Sequence, residues 1–270
     1  VRCENYTYKQ LSPHQVRATI VWSQKVRRSW MNPVLRSQVP FMRLGLFVGW
    51  LVWGLAGLVS AASLLAPKVL IVTMFEPERN AWLDNMPLSR NISVPGLSPL
   101  FPHVSCSHDG EVCLITTGEG EINAAASLSA VVYSLSFDLR KTYILMNGIA
   151  GISPDAGTLG SVGLARYAVQ VGLQYGIDAR QAPKNWTYSF WNYGTMKPGS
   201  YPRNFYGTEV FELNSSLRDR VFELVKNVKL KDTSAVKKYR STYSQERAKA
   251  PPSVFKGDVT TSDLYFTGKI

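Results

Sequence analysis

The sequence is poor in the residues that build metal sites and nucleophilic triads. It has three histidines and three cysteines among 270 residues, and no convincing ligand set gathers around them, so no metal site is expected. A Ser–His catalytic arrangement is equally badly supplied. Acidic residues are scarce as well, with 19 Asp and Glu against 30 Lys and Arg. Long apolar runs are nearly absent. One stretch, residues 44–63, reads LGLFVGWLVWGLAGLVSAAS. A carrier that moves a polar solute through lipid needs several spanning elements around a cavity. One apolar run does not supply that path.

That run divides the chain. Met42 and Arg43 precede it, and Ser60, Ala61 and Ala62 close it. A short positive start, an apolar stretch and a small-residue exit form the pattern of a secretory signal peptide, here residues 42–62, cut near Ala61 or Ala62. A single membrane anchor is the competing reading, and the apolar length is borderline for it. Residues 1–41 start at Val1, are basic and lack a sustained apolar period. They are expected to be upstream sequence, non-native or disordered, with no assigned function. Residues 63–270 form the expected domain.

The charge follows the same division. Residues 1–66 carry eight Lys/Arg and one Glu, while the remainder carries 22 basic and 18 acidic residues. The densest basic stretch of the remainder, Lys226–Lys249, has only Tyr239 and Tyr243 interleaved. It reads as a solvated helix face and loop, and nucleic acid is not an expected partner.

Other signals agree with a secretory route. Asn91, Asn185 and Asn214 each open an N-x-S/T sequon and are candidate glycosylation sites. Cys106 and Cys113 flank SHDGEV, in which Asp109-Gly110 is a hairpin turn signal. A hairpin would place the two cysteines opposite one another, and an oxidising compartment would let them form a disulfide.

Two glycine-marked segments carry the strongest functional signal: TTGEGEINAAASLSAVV at 116–132 and YILMNGIAGISPDAGTLGSVGLARYAVQ at 143–170. Each reads as a strand ending in a glycine turn, and a small-residue helix follows the first. Such turns let backbone N–H groups approach a ligand closely, because glycine has no Cβ in the way. In open α/β sheets, ligands collect where strands end in such loops.

The remaining elements follow from pattern. PKVLIVTMF (67–75) reads as a buried strand that stops at Glu76-Pro77-Glu78, and Pro77 suits the first turn of a helix. A short helix is expected over 79–86 and a Pro/Gly/Ser loop over 87–102. The hairpin exit strand is expected at 114–117 and a helix at 121–136, packed through Ala124, Ala125, Ala126 and Ser127. Strands are expected at TYILMNG and over 161–172, and a Trp/Tyr-rich loop over 182–206. An amphipathic helix is expected over 209–228 and a last strand from Val254. Alternating strands and helices predict an α/β fold.

The phrases VPGLSPLFP, TTGEGEINAAASLSA, NGIAGISPDAGTLGSVGLARYAVQ, YGTEVFELN and GDVTTSD run collinearly over Pro67–Phe266. Together they resemble the fungal purine nucleoside permease family, itself similar to the nucleoside phosphorylase superfamily. The resemblance implies a three-layer α/β/α nucleoside-phosphorylase-like fold, incomplete at the C-terminus, and purine nucleosides as ligands. It also implies a role in taking nucleosides up from outside the cell, with the protein secreted, in the cell wall or at the cell surface. Cleavage of the bond between purine and ribose, with water or phosphate as nucleophile, is the alternative chemistry. A single-pass anchored interaction protein is the third reading. No cofactor is implied beyond phosphate as a co-substrate. A homo-oligomer and a separate membrane transporter stand as candidate partners.

The resemblance also assigns roles. Glu78 matches a glutamate that orients or activates water, with Glu76 behind it. A helix-start carboxylate is the plain structural reading of either. Gly118, Glu119 and Gly120 match a loop near ribose or phosphate. Asn147, Gly148, Ile149, Ala150 and Gly151 match a segment along the base. Arg166 is a candidate anion contact or else a surface ion pair. Tyr265, with Phe266 beside it, is a candidate purine-stacking ring. Acidic residues that the superfamily uses on the ribose hydroxyls and on the departing base have no match before Ile270. The chain therefore reads as the N-terminal part of a longer family pattern, with a partial site and little or no catalysis.

Overall fold

The computed structural model describes the backbone of residues 18–23 and the whole of residues 64–264. The proposed signal segment, Tyr265 and Phe266 lie outside the described residues. So does all of the upstream segment except β1 (Ala18–Ser23).

The chain then runs β2 (Val69–Thr73), α1 (Glu76–Leu83), β3 (Arg90–Ser93), β4 (His103–Cys106) and β5 (Val112–Thr116). Next come α2 (Glu121–Tyr133), β6 (Tyr143–Gly148), β7 (Val162–Leu164), β8 (Tyr167–Gln170), β9 (Gln174–Gly176) and β10 (Phe190–Asn192). It continues through β11 (Val210–Glu212), α3 (Ser215–Val225), α4 (Ser234–Arg240) and α5 (Glu246–Lys249) to β12 (Val254–Lys256) and β13 (Val259–Thr261).

The main sheet has the order β12-β7-β1-β6-β2-β5-β4-β3. Its centre is parallel: β2 pairs with β5 on one side and β6 on the other. These strands are apolar runs bounded by polar turns, as strands covered on both faces require. Successive side chains alternate between two cores. Leu70, Val72, Cys113 and Ile115 pack on one face with Val131 and Leu128 of α2. Ile71, Leu114 and Leu145 pack on the other with Trp82 and Leu83 of α1. Strand period 2 thus places helices on opposite faces, an α/β arrangement.

β4 and β5 form an antiparallel hairpin with Cys106 opposite Cys113. Gly110 adopts φ +75° in its turn, and the two sulfurs are joined in a disulfide. The pair is fully buried in the α2-side core.

Several expected elements are redrawn. The loop expected over 87–102 contains β3, which pairs with β4. The strand expected over 161–172 is two strands in two sheets, because β7 joins the main sheet while β8 sits between β11 and β13. The segment from Val254 divides in the same way into β12 and β13. The helix expected from Glu209 starts only at Ser215, where Asn214 caps it by accepting the Leu217 N–H at 2.9 Å. Helix α2 packs through Ser127 and Val131, leaving Ala125 and Ala126 exposed.

The basic stretch Lys226–Lys249 is not wholly solvated. Arg240 is 3% exposed, and its guanidinium donates from Nη1 and Nη2 to Asp232 at 2.7 and 3.0 Å. Within the segment expected to be non-native or disordered, Ala18–Ser23 is a strand between β6 and β7. Its composition, ATIVWS, is rich in β-branched and aromatic residues.

Candidate functional site

The three parallel strands end side by side: β2 at Thr73, β5 at Thr116 and β6 at Gly148. The first two ends are tied together by hydroxyls. Thr73 Oγ1 and Thr116 Oγ1 lie 3.0 Å apart. Thr117 donates its N–H to the Thr73 carbonyl at 2.9 Å, and Ser127 Oγ of α2 donates to the Thr117 carbonyl at 3.0 Å. These groups are buried, so each needs a partner. The network fixes the chain where it leaves β5.

The glycine loop follows at once. Gly118 and Gly120 have φ +88° and +91°, a region that L side chains rarely occupy. Glu119 is exposed between them. Gly120 also takes the N-cap position of α2, where it offers no capping side chain. Instead, Asp263 Oδ1 accepts the Glu121 N–H at 3.0 Å, and Gln170 Nε2 donates to Glu121 Oε1 at 3.0 Å. Those contacts bring Gln170 of β8 and Asp263 to the start of α2. Sequence reading missed this use of Asp263. Its one signal is an Asp just after a threonine-rich strand.

Glu78 is the centre of the other half. It sits in the first turn of α1, after Pro77, and is 6% exposed. Its Oε2 accepts the Met74 N–H at 2.7 Å, and its Oε1 accepts the Ile149 N–H at 3.0 Å. The first bond is a local helix-start contact. The second reaches across to the loop after β6. Burial raises the carboxyl's affinity for a proton above the ordinary glutamate range. The N–H groups of Met74, Ile149 and Phe75 oppose that rise, and the negative charge of Glu119 adds to it. Gly148 leaves room for the arrangement, since a Cβ there would stand 3.0 Å from Met74 Cε and 3.3 Å from Glu78 Oε1. Beside it, Trp82 Nε1 donates to Asn147 Oδ1 at 2.7 Å, so α1 positions the amide as well as the carboxylate.

The structure therefore brings together Glu78, Asn147, Gly148 and Ile149, with Glu119 close enough to act electrostatically. Gly118 and Gly120 complete the loop that carries Glu119. Ala150 is half-buried and Gly151 exposed along the same loop, while Glu76 is exposed in the first turn of α1. Arg166 has another partner: Nε and Nη2 donate to Glu212 at 2.9 and 2.8 Å, and the cation stacks over Tyr167. Asn91 and Asn185 are exposed and Asn214 is half-buried. The aromatic loop folds on itself. Trp186 contacts Trp191, Trp191 contacts Tyr175, and Tyr193 stacks on Tyr206 with centroids 4.2 Å apart.

A carboxylate and two glycine turns at the ends of parallel strands bear the hallmarks of a small polar-ligand site. Residues 66–270 match the purine nucleoside permease (NUP) family. The chain belongs to that family. It is 47% identical over 208 residues to a purine nucleoside permease of Candida albicans, covering 76% of this chain and 51% of that protein. A probable purine nucleoside permease of Schizosaccharomyces pombe is 41% identical over 223 residues, covering 79% of this chain and 64% of that protein. The chain thus spans about half the length of the Candida relative. No solved structure matches. Among the described residues, no helix is long and apolar enough to cross a membrane.

Proposed function

We propose that this chain binds purine nucleosides at the joined ends of β2, β5 and β6, as the ligand-binding part of an uptake protein facing outward from the cell. Membership of the purine nucleoside permease family supports the ligand class. The observation that carries the reading is the Glu78 carboxylate, buried and held by N–H groups from two separate strand ends. A carboxylate has about four acceptor positions. Those not occupied by the backbone can accept from a ribose hydroxyl or orient a water. Gly118 and Gly120 let the backbone approach the sugar or an anion, and the Asn147–Gly151 segment lies along the base. Purine faces are covered by stacking, for which Tyr265 and Phe266 are the candidates. Translocation is left to a separate membrane transporter, and a nucleoside-phosphorylase-like fold is the proposed framework.

Titration calorimetry with inosine, adenosine and uridine tests this reading. Saturable binding of the purine nucleosides with much weaker binding of uridine supports it. Equal or absent heats for all three contradict it.

Glycosidic cleavage is the second reading, favoured by the raised proton affinity of Glu78. Breaking the purine–ribose bond passes through an oxocarbenium-like state, and in this reading the Glu78 carboxylate orients or activates the attacking water. Chromatographic assay of free base, with and without phosphate, separates binding from cleavage and water from phosphate.

A further inference from the structure

Among the described residues, the main sheet contains one strand from outside the family-matched part. The family match starts at residue 66, yet β1 (Ala18–Ser23) lies inside the main sheet, with β6, β2, β5, β4 and β3 on one side and β7 and β12 on the other. It runs antiparallel to β6 over five positions, from Thr19 opposite Gly148 to Ser23 opposite Ile144. It runs parallel to β7 over three, from Ala18 opposite Val162 to Ile20 opposite Leu164. The strip of β7 and β12 is joined to the main sheet through β1, and each of those strands has three residues.

We infer that the slot between β6 and β7 is a strand-acceptor site whose occupant is the chain's own Ala18–Ser23 arm, and that insertion of this arm holds the Asn147–Ile149 end of β6 in place. Three points support this. First, β6 without β1 would present a row of unpaired backbone groups on the edge away from β2, the feature that recruits added strands. Second, the arm's β-branched and aromatic residues suit a strand flanked on both sides. Third, the register is specific in function: Thr19 and Ile20 stand opposite Gly148 and Asn147. Those residues lead directly into the Ile149 N–H that holds Glu78. The β2 register with β6 stops at Met146, so at Asn147 and Gly148 it is the β1 ladder that opposes fraying. The inference concerns the unliganded protein and does not rest on what the site binds.

Hydrogen exchange on the full chain, without nucleoside, tests it. Successive residues of a strand direct their N–H groups to opposite neighbours, so the double variant Ile20→Pro/Val21→Pro removes a donor from each ladder. Amides of residues 144–148 and 162–164 are expected to exchange at least ~10-fold faster in the variant. Amides of β2 and β5 serve as the control for folding and are expected to be unchanged. A synthetic peptide covering residues 16–25, added to the variant, is expected to restore protection saturably, whereas the same peptide with both prolines does not. Unchanged exchange at 144–148 in the variant, or failure of the unmodified peptide to restore it, overturns the inference.

Discussion

The Glu78 carboxylate and the Ile149 backbone N–H meet at 3.0 Å across the ends of two strands, joining residues 71 positions apart. Glu78 Oε2 is held at the same time by the Met74 N–H. One buried carboxylate therefore fastens the exit of β2 to the exit of β6. It also brings an acid of raised proton affinity to the place proposed above for the ligand.

That proton affinity gives a signed pH prediction. Burial raises the folded-state pKa of Glu78 above its ordinary 4.5, so the folded protein holds the proton more tightly than the unfolded chain. The stabilisation associated with the protonated form is complete below pH 4.5 and is lost as pH rises through the raised folded value. Denaturant titrations of the parent and Glu78→Gln across this window check it. The stability of the parent relative to the variant is expected to decline with rising pH, and then to level off.

Gly148→Ala tests how tightly the site is built. The new methyl would stand 3.0 Å from Met74 Cε, a flexible end that can move, but also 3.3 Å from Glu78 Oε1. Stability is expected to fall by about 1–3 kcal/mol, at the low end if the Met74 side chain moves aside. Nucleoside affinity, measured by calorimetry, is expected to fall about tenfold as the carboxylate shifts.

The Cys106–Cys113 disulfide closes a short hairpin, with a sequence separation of 7. Loop-closure entropy for a ring of that size is about 2–3 kcal/mol. The double variant Cys106→Ala/Cys113→Ala is expected to lose at least that much, since both side chains are also part of the core. Thermal unfolding with and without reductant checks it: reductant lowers the Tm of the parent and leaves the variant unchanged.

Arg240 and Asp232 form a pair in which the cation is the more deeply buried partner. Asp232→Ala strands a buried guanidinium and is expected to cost about 3 kcal/mol. Arg240→Ala strands a carboxylate with more access to water and is expected to cost less. Urea midpoints of the two variants give the order, and the reverse order contradicts the burial argument.

The central strands and the hairpin were legible in the sequence because their signals are local, while the parallel direction of those strands came from the structure. Residues 69–72 and 143–146 are continuous apolar runs, and Asp109-Gly110 marks its own turn. The position of Glu78 in the first turn of α1 was legible from Pro77 beside it; its role as a site residue came from the family resemblance. What was not legible depends on partners far along the chain. The 161–172 stretch divides at Ala165–Arg166 because β8 finds β11 and β13 rather than β1 and β12. The capping of α2 by Asp263 spans 142 residues, and no local pattern announces it. The buried state of Arg240 depends on Asp232 eight positions earlier, in a stretch whose overall charge suggested a solvated surface.

The central claim is that a purine nucleoside occupies the joined ends of β2, β5 and β6. The most direct test is to titrate inosine into ¹⁵N-labelled protein and follow the backbone amides of Gly118, Gly120, Gly148 and Ile149. Saturable shifts at these four positions, reduced in Glu78→Gln, are the predicted result. Saturable shifts that leave them unmoved and gather instead in the aromatic loop around Tyr193 and Phe205 would contradict the account.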